Sequence, residues 1–121
     1  MISRKYGRGF SLIELMAVVA IIAIALAIAV PNLFKSTEKS QKIVCMSNLK
    51  NISSAMQLYA IENRIVSGTS LSGDQIETIY DTYLKRGEPK CPGGGEYTLH
   101  EVGADPQVTC SLADKGHELS Q

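Results

Sequence analysis

The chain reads as an α+β protein: a long N-terminal helix, then a small head of one further helix and a short antiparallel β-hairpin. Three observations predict this. Residues 10–30 form an apolar run of twenty-one with only Ser11 and Glu14 polar. Residues 32–63 contain neither Pro nor Gly and repeat apolar side chains at helical spacing. Beyond Gly87 the sequence turns to Gly, Pro and short alternating segments framed by Cys91 and Cys110.

The first element is a basic leader, Arg4, Lys5 and Arg8 before Gly9, running into Phe10-Ser11-Leu12-Ile13-Glu14-Leu15. The apolar run that follows is long enough to cross a bilayer core of about 30 Å. The basic residues place the short side in the cytoplasm and the body across the membrane, where disulfides form. Glu14 is the informative residue. A carboxylate at the bilayer centre costs roughly 2.5–3.5 kcal/mol, less near an end, so it calls for a partner. If a peptidase cuts after Gly9, the new amine of Phe10 lies one helical turn from Glu14 on the same face.

Two plainer readings compete. Ala25, Ala27 and Ala29 offer small-x-small sites for a secretory signal peptidase, which would release a small disulfide-stabilised binding domain beginning near Val30 or Pro31. A simple membrane anchor fits the hydropathy equally well. Neither explains Glu14.

After Pro31, which removes a backbone donor and can open a helix, Cys45, Leu49, Ile52, Met56 and Tyr59 recur at spacings that line one helical face. This predicts a helix over 32–64. The Ser and Gly residues of 67–73 make a loop. Ser72 and Gln75 can then form a capping box, and Ile76, Ile79, Tyr80, Tyr83 and Leu84 give an apolar stripe that Gly87 ends, predicting a helix over 73–86. The tyrosines belong to the core stripe. In 91–121, Cys91-Pro92-Gly93-Gly94-Gly95 is turn chemistry, 96–102 alternates with Tyr97 and Leu99 on one side, and 107–110 can pair with it. Two short strands alone are marginal in water. A Cys91–Cys110 bridge would close a loop of about twenty residues and stabilise it by roughly 3 kcal/mol in the chain-entropy model. Cys45 falls on the apolar stripe as a buried reduced thiol, although its pairing with Cys91 or Cys110 stays open.

Gly9 followed by Phe10-Ser11-Leu12-Ile13-Glu14-Leu15, with the basic leader before it and Pro31 after the apolar run, resembles the type IV prepilins and their pseudopilin relatives. The head, with Cys45, Cys91-Pro92, Gly94-Gly95, Tyr97-Thr98, Cys110-Ser111 and His117, is similar to a group of short bacterial prepilins. The resemblance implies a pilin-like fold. It also implies a leader of residues 1–9 removed after Gly9, a methylated Phe10, a membrane and filament-core helix over 10–31, and a head over 32–121. Glu14 and Pro31 are then assembly residues. Implied partners are a prepilin peptidase and methyltransferase, further copies of the chain and related pilins, and a pilus or secretion assembly platform. The implied location is the inner membrane as a single-pass protein with its head outside the cytoplasm, and then a periplasmic or extracellular filament.

Charge and motifs narrow the function further. Three of the twelve basic residues lie in the leader, leaving nine against twelve acids, a net charge of −3. That gives no basic footprint for nucleic acid. No nucleophile, phosphate-cradle or cofactor motif is present, so an enzyme is not expected and no cofactor is assigned. Cys91, His100, Cys110 and His117 have zinc-type side chains, but no pair among them has the short spacing of structural sites, and zinc is set aside on that ground. Asp105, Asp114 and Glu118 lack a regular calcium-loop pattern. His117 is assigned only a surface or packing role.

Overall fold

The computed structural model describes residues 7–119, so Arg4 and Lys5 of the leader lie outside the described residues. Helix α1 spans Leu12–Glu62, α2 Gly73–Tyr83, strand β1 Tyr97–Leu99 and β2 Val108–Cys110, with a short 3-10 turn at Ala113–Lys115. The expected α+β arrangement of a long apolar helix, one short helix and a two-stranded antiparallel sheet is found. The chain divides into two units, one ending at Ser36 and one beginning at Thr37.

In the first unit α1 continues through Pro31. Every described side chain up to Ser36 is exposed, including Phe10, Ile13, Ile21, Ile24 and Phe34. A helix apolar on all sides has nothing within its own chain to pack on, and is the type that a membrane or a helix bundle covers. By length and composition it is able to cross a membrane.

In the second unit the stripe on α1 becomes a core. Cys45, Leu49, Ile52 and Met56 are fully buried and cluster with Ile79 and Tyr80 of α2 and with Val108 and Cys110 of β2. Helix α2 starts where the Ser72 N–H donates to Gln75 Oε1 at 2.9 Å, satisfying a helix-end donor as the capping box requires. It ends at Tyr83, three residues before the expected 86, because Leu84 is extended at φ −109° and ψ 111° and Gly87 closes a turn onto it at φ +70°. Tyr83 packs edge-on against Tyr59, with ring centroids 6.0 Å apart, and its hydroxyl donates to Glu62.

The hairpin pairs Tyr97 with Cys110 and Leu99 with Val108. Tyr97 and Leu99 are half-buried on one side, as the alternation predicts. The strands are shorter than expected because Val102 pairs elsewhere: its N–H donates to the Thr69 carbonyl at 3.0 Å and its carbonyl accepts from Gly68 at 2.7 Å. The hairpin is tied to α1 by polar bonds. Asn48 donates to the Lys90 carbonyl and to the Tyr97 hydroxyl, and Ser53 donates to the buried Gln107 side chain.

Candidate functional site

The N-terminal motif is built around the start of α1. Residues 7–11 have no regular structure, and the helix begins at Leu12. The Gly9–Phe10 peptide is therefore presented in exposed, non-helical backbone. A Cβ placed on Gly9 would meet nothing within 4 Å. The chain itself thus imposes no need for glycine there, and a requirement for it would come from whatever binds the peptide.

Glu14 has a partner that the sequence reading missed. Its carboxylate Oε2 accepts from the Ser11 N–H at 2.9 Å, and its own N–H donates to Ser11 Oγ at 3.3 Å. Ser11 and Glu14 are thus a capping box, which the Ser-x-x-Glu spacing carries in plain view. With the leader attached, the acid already answers an orphan donor of the helix end and sits where the helix dipole favours a negative charge.

In the head, the structure brings together three cysteines and a histidine from four segments. Cys45 comes from the middle of α1, Cys91 from the turn before the glycine run, Cys110 from the end of β2, and His117 from just after the 3-10 turn. All four are buried, and their Sγ and ring nitrogen atoms lie within 4.8 Å of one another. Cys91 Sγ is 3.3 Å from His117 Nδ1. The expected Cys91–Cys110 bridge is not formed, and all three cysteines are free thiols. Cys110 has Cys45 and His117 as neighbours as well as Cys91, so it belongs to a set of four rather than a pair. His117 is only 5% exposed, which excludes the surface role and leaves the packing one of the two expected for it. His100 stays outside the set, its Nε2 bonded to Thr109 Oγ1 at 2.9 Å.

The surroundings treat the sulfurs differently. Burial pushes the Cys45 thiol up to about 12, against the opposing Tyr97 hydroxyl. Burial also raises Cys91, but bonds from the Gly95 and Gly93 amides and from the neighbouring thiols outweigh it, and Cys91 lies below the ordinary thiol value. Burial holds Tyr97 well above the usual phenol range. The short ligand spacing of common zinc motifs is absent along the chain. In space, the four donors form a compact set.

A family profile described as "Prokaryotic N-terminal methylation motif" matches residues 4–30. The type II secretion system core protein G of Klebsiella michiganensis is 28% identical over 116 residues, covering 87% of this chain and 81% of that protein. The Pseudomonas aeruginosa protein of the same name is 32% identical, covering 84% of this chain and 87% of its own length. The type IV major pilin protein PilA of Myxococcus xanthus is 47% identical over 55 residues, 46% of this chain and 25% of that pilin. No solved structure matches the chain at a significant level. With the methylation motif at its start and a likeness that extends through the head, this chain belongs to the prepilin and pseudopilin family represented by type II secretion system core protein G.

Proposed function

We propose that the chain is a structural filament subunit, cut after Gly9, methylated on Phe10 and polymerised through the first half of α1. The relatives named for type II secretion favour a secretion pseudopilus over a surface pilus. Before assembly the segment anchors the chain in the inner membrane, with the head on the far side. The enzymes at work are a peptidase that cuts the Gly9–Phe10 bond and a methyltransferase that acts on the Phe10 amine so freed, and this chain supplies scaffold.

The observation that carries the reading is an apolar helix whose side chains are not buried by any of the described residues, opening on an acid. Residues 12–30 are exposed throughout, so their burial is left to lipid and then to neighbouring copies. In a filament core without water an unpaired carboxylate costs several kcal/mol. Cleavage at Gly9 creates an ammonium on Phe10 next to the Ser11–Glu14 capping box. Exchange of Glu14 from its own helix end to the amine of a neighbouring copy would set the axial register between subunits.

Glu14→Val keeps the segment apolar and should leave membrane insertion intact while abolishing regular filaments. Expression of the variant as the sole copy, with filaments counted by electron microscopy, tests this. Normal numbers of regular filaments would show that the acid does not set the register.

A further inference from the structure

We propose that Cys45, Cys91, Cys110 and His117 form a structural zinc site that closes the head. The inference is independent of filament assembly. Zn–S bonds of about 2.3 Å and Zn–N bonds of about 2.0 Å put adjacent ligands of a tetrahedron roughly 3.5–3.8 Å apart. The four donor atoms already lie within 4.8 Å of one another, and the Cys91 Sγ to His117 Nδ1 distance is 3.3 Å. Small side-chain movements complete the tetrahedron. Three thiolates and one imidazole are a soft set that suits zinc and excludes calcium and magnesium, which require oxygen ligands. All four positions are filled by protein, which is the mark of a structural rather than a catalytic site.

The backbone and side chains around the set are arranged as an outer shell. The Gly93 and Gly95 backbone lowers the Cys91 thiol, favouring the thiolate. Both glycines are also needed for space: a Cβ on Gly95 would fall 2.7 Å from Cys110 Sγ, and one on Gly93 would fall 2.9 Å from His117 Cε1. On the other side the Tyr97 hydroxyl accepts from Asn48 Nδ2 at 3.1 Å and acts on the Cys45 thiol in the direction that favours the thiolate. Such partners orient ligands and tune a metal site. Nδ1 of His117 is the coordinating nitrogen, which puts the ring proton on Nε2. Three thiol protons pass to water as the ion enters.

A metal accounts for the composition better than a bridge does. Any single disulfide uses two of three buried cysteines and leaves a thiol and a histidine stacked beside it. One ion uses all four and links the middle of α1 to three points in the C-terminal region. A head of this size has a small core, and such domains commonly rely on a staple of this type.

The test uses the full chain, extracted from membranes in detergent without chelator or reductant. Elemental analysis should find one zinc per chain, with all three thiols unoxidised after denaturation. Replacing zinc by Co(II) should give the intense visible bands of a tetrahedral thiolate site. Loss of an outer-shell partner weakens metal sites by about 10–100-fold, so Tyr97→Phe should lower zinc affinity by at least roughly tenfold, and loss of a ligand in Cys45→Ser or His117→Ala should exceed that. His117→Cys should retain zinc with a shifted Co(II) spectrum. The wild-type spectrum decides the matter even if a ligand variant does not fold. Metal-free protein carrying a Cys91–Cys110 disulfide, Co(II) without tetrahedral bands, or full zinc content in Cys45→Ser would each overturn the site.

Discussion

The two halves of α1 belong to one helix and obey different rules. Up to Ser36 every described side chain is exposed, and from Leu15 to Val30 every one is apolar, so burial within the described residues does not hold them. From Cys45 to Ala60 one stripe is buried and the opposite face is polar apart from Leu58. Helix propensity supports both halves, but only the second gains tertiary packing from its own chain. The stability of the first half therefore belongs to the membrane or the filament, and that of the second to the head. Substitutions in the two halves should be read out by different measurements.

The largest effect is expected at the boundary of the leader. Gly9→Val meets no steric obstacle within the chain, so any defect isolates recognition by the peptidase. Immunoblots should show accumulation of the longer precursor and loss of filaments, with the head still folded. Normal processing of the variant would remove the argument for Gly9.

Within α1, Leu49→Ala and Ile52→Ala remove fully buried side chains and should destabilise the head by about 2–5 kcal/mol each. Ile21→Ala, in the exposed half, should leave the melting temperature of the head unchanged while weakening assembly. Thermal melts of residues 32–121 and of the full chain in detergent separate the two. Equal loss of head stability from Ile21→Ala would break the division.

Gly95→Ala should destabilise the head by about 1–3 kcal/mol, because the added methyl is driven into Cys110 and Leu112. Gly94→Ala meets no atom but takes a backbone at φ +85°, so it too should destabilise, through strain rather than contact. Denaturant unfolding of the two variants measures the difference.

The smallest effect concerns α2. Ser72→Ala should reduce stability by about 1 kcal/mol through loss of the N-cap. Denaturant midpoints detect a change of that size, and no change would mean that packing of Ile79 and Tyr80 alone sets the start of the helix.

Features encoded by local patterns were legible in the sequence. The apolar run, the α1 stripe from Cys45 to Met56, the Ser72–Gln75 cap and the side of the hairpin carrying Tyr97 and Leu99 all follow from period and capping rules. The end of α2 was less so, since Leu84 fits the helical stripe yet turns extended. Val102 looked like strand but pairs with the loop at Gly68 and Thr69, a contact that no local pattern announces. The thiol and imidazole set was hidden for the same reason. Cys91, Cys110 and His117 are visible as zinc-type side chains without the short spacing of a motif, and the fourth member, Cys45, lies 46 residues before Cys91 on an apolar stripe where it looks like any small core residue. The Ser11–Glu14 cap is legible in the Ser-x-x-Glu spacing, a local partner for the acid beside the distant amine.

The proposed assembly requires cleavage after Gly9 before neighbouring copies cover the half of α1 that is exposed in the uncut chain. The mass of the N-terminal peptide from protein extracted from membranes tests it most directly. A chain beginning at Phe10 and carrying one methyl group on its amine is the expected result. A chain beginning at Ile28, Val30 or Pro31 would contradict it, because the apolar segment would then have been discarded as a signal peptide.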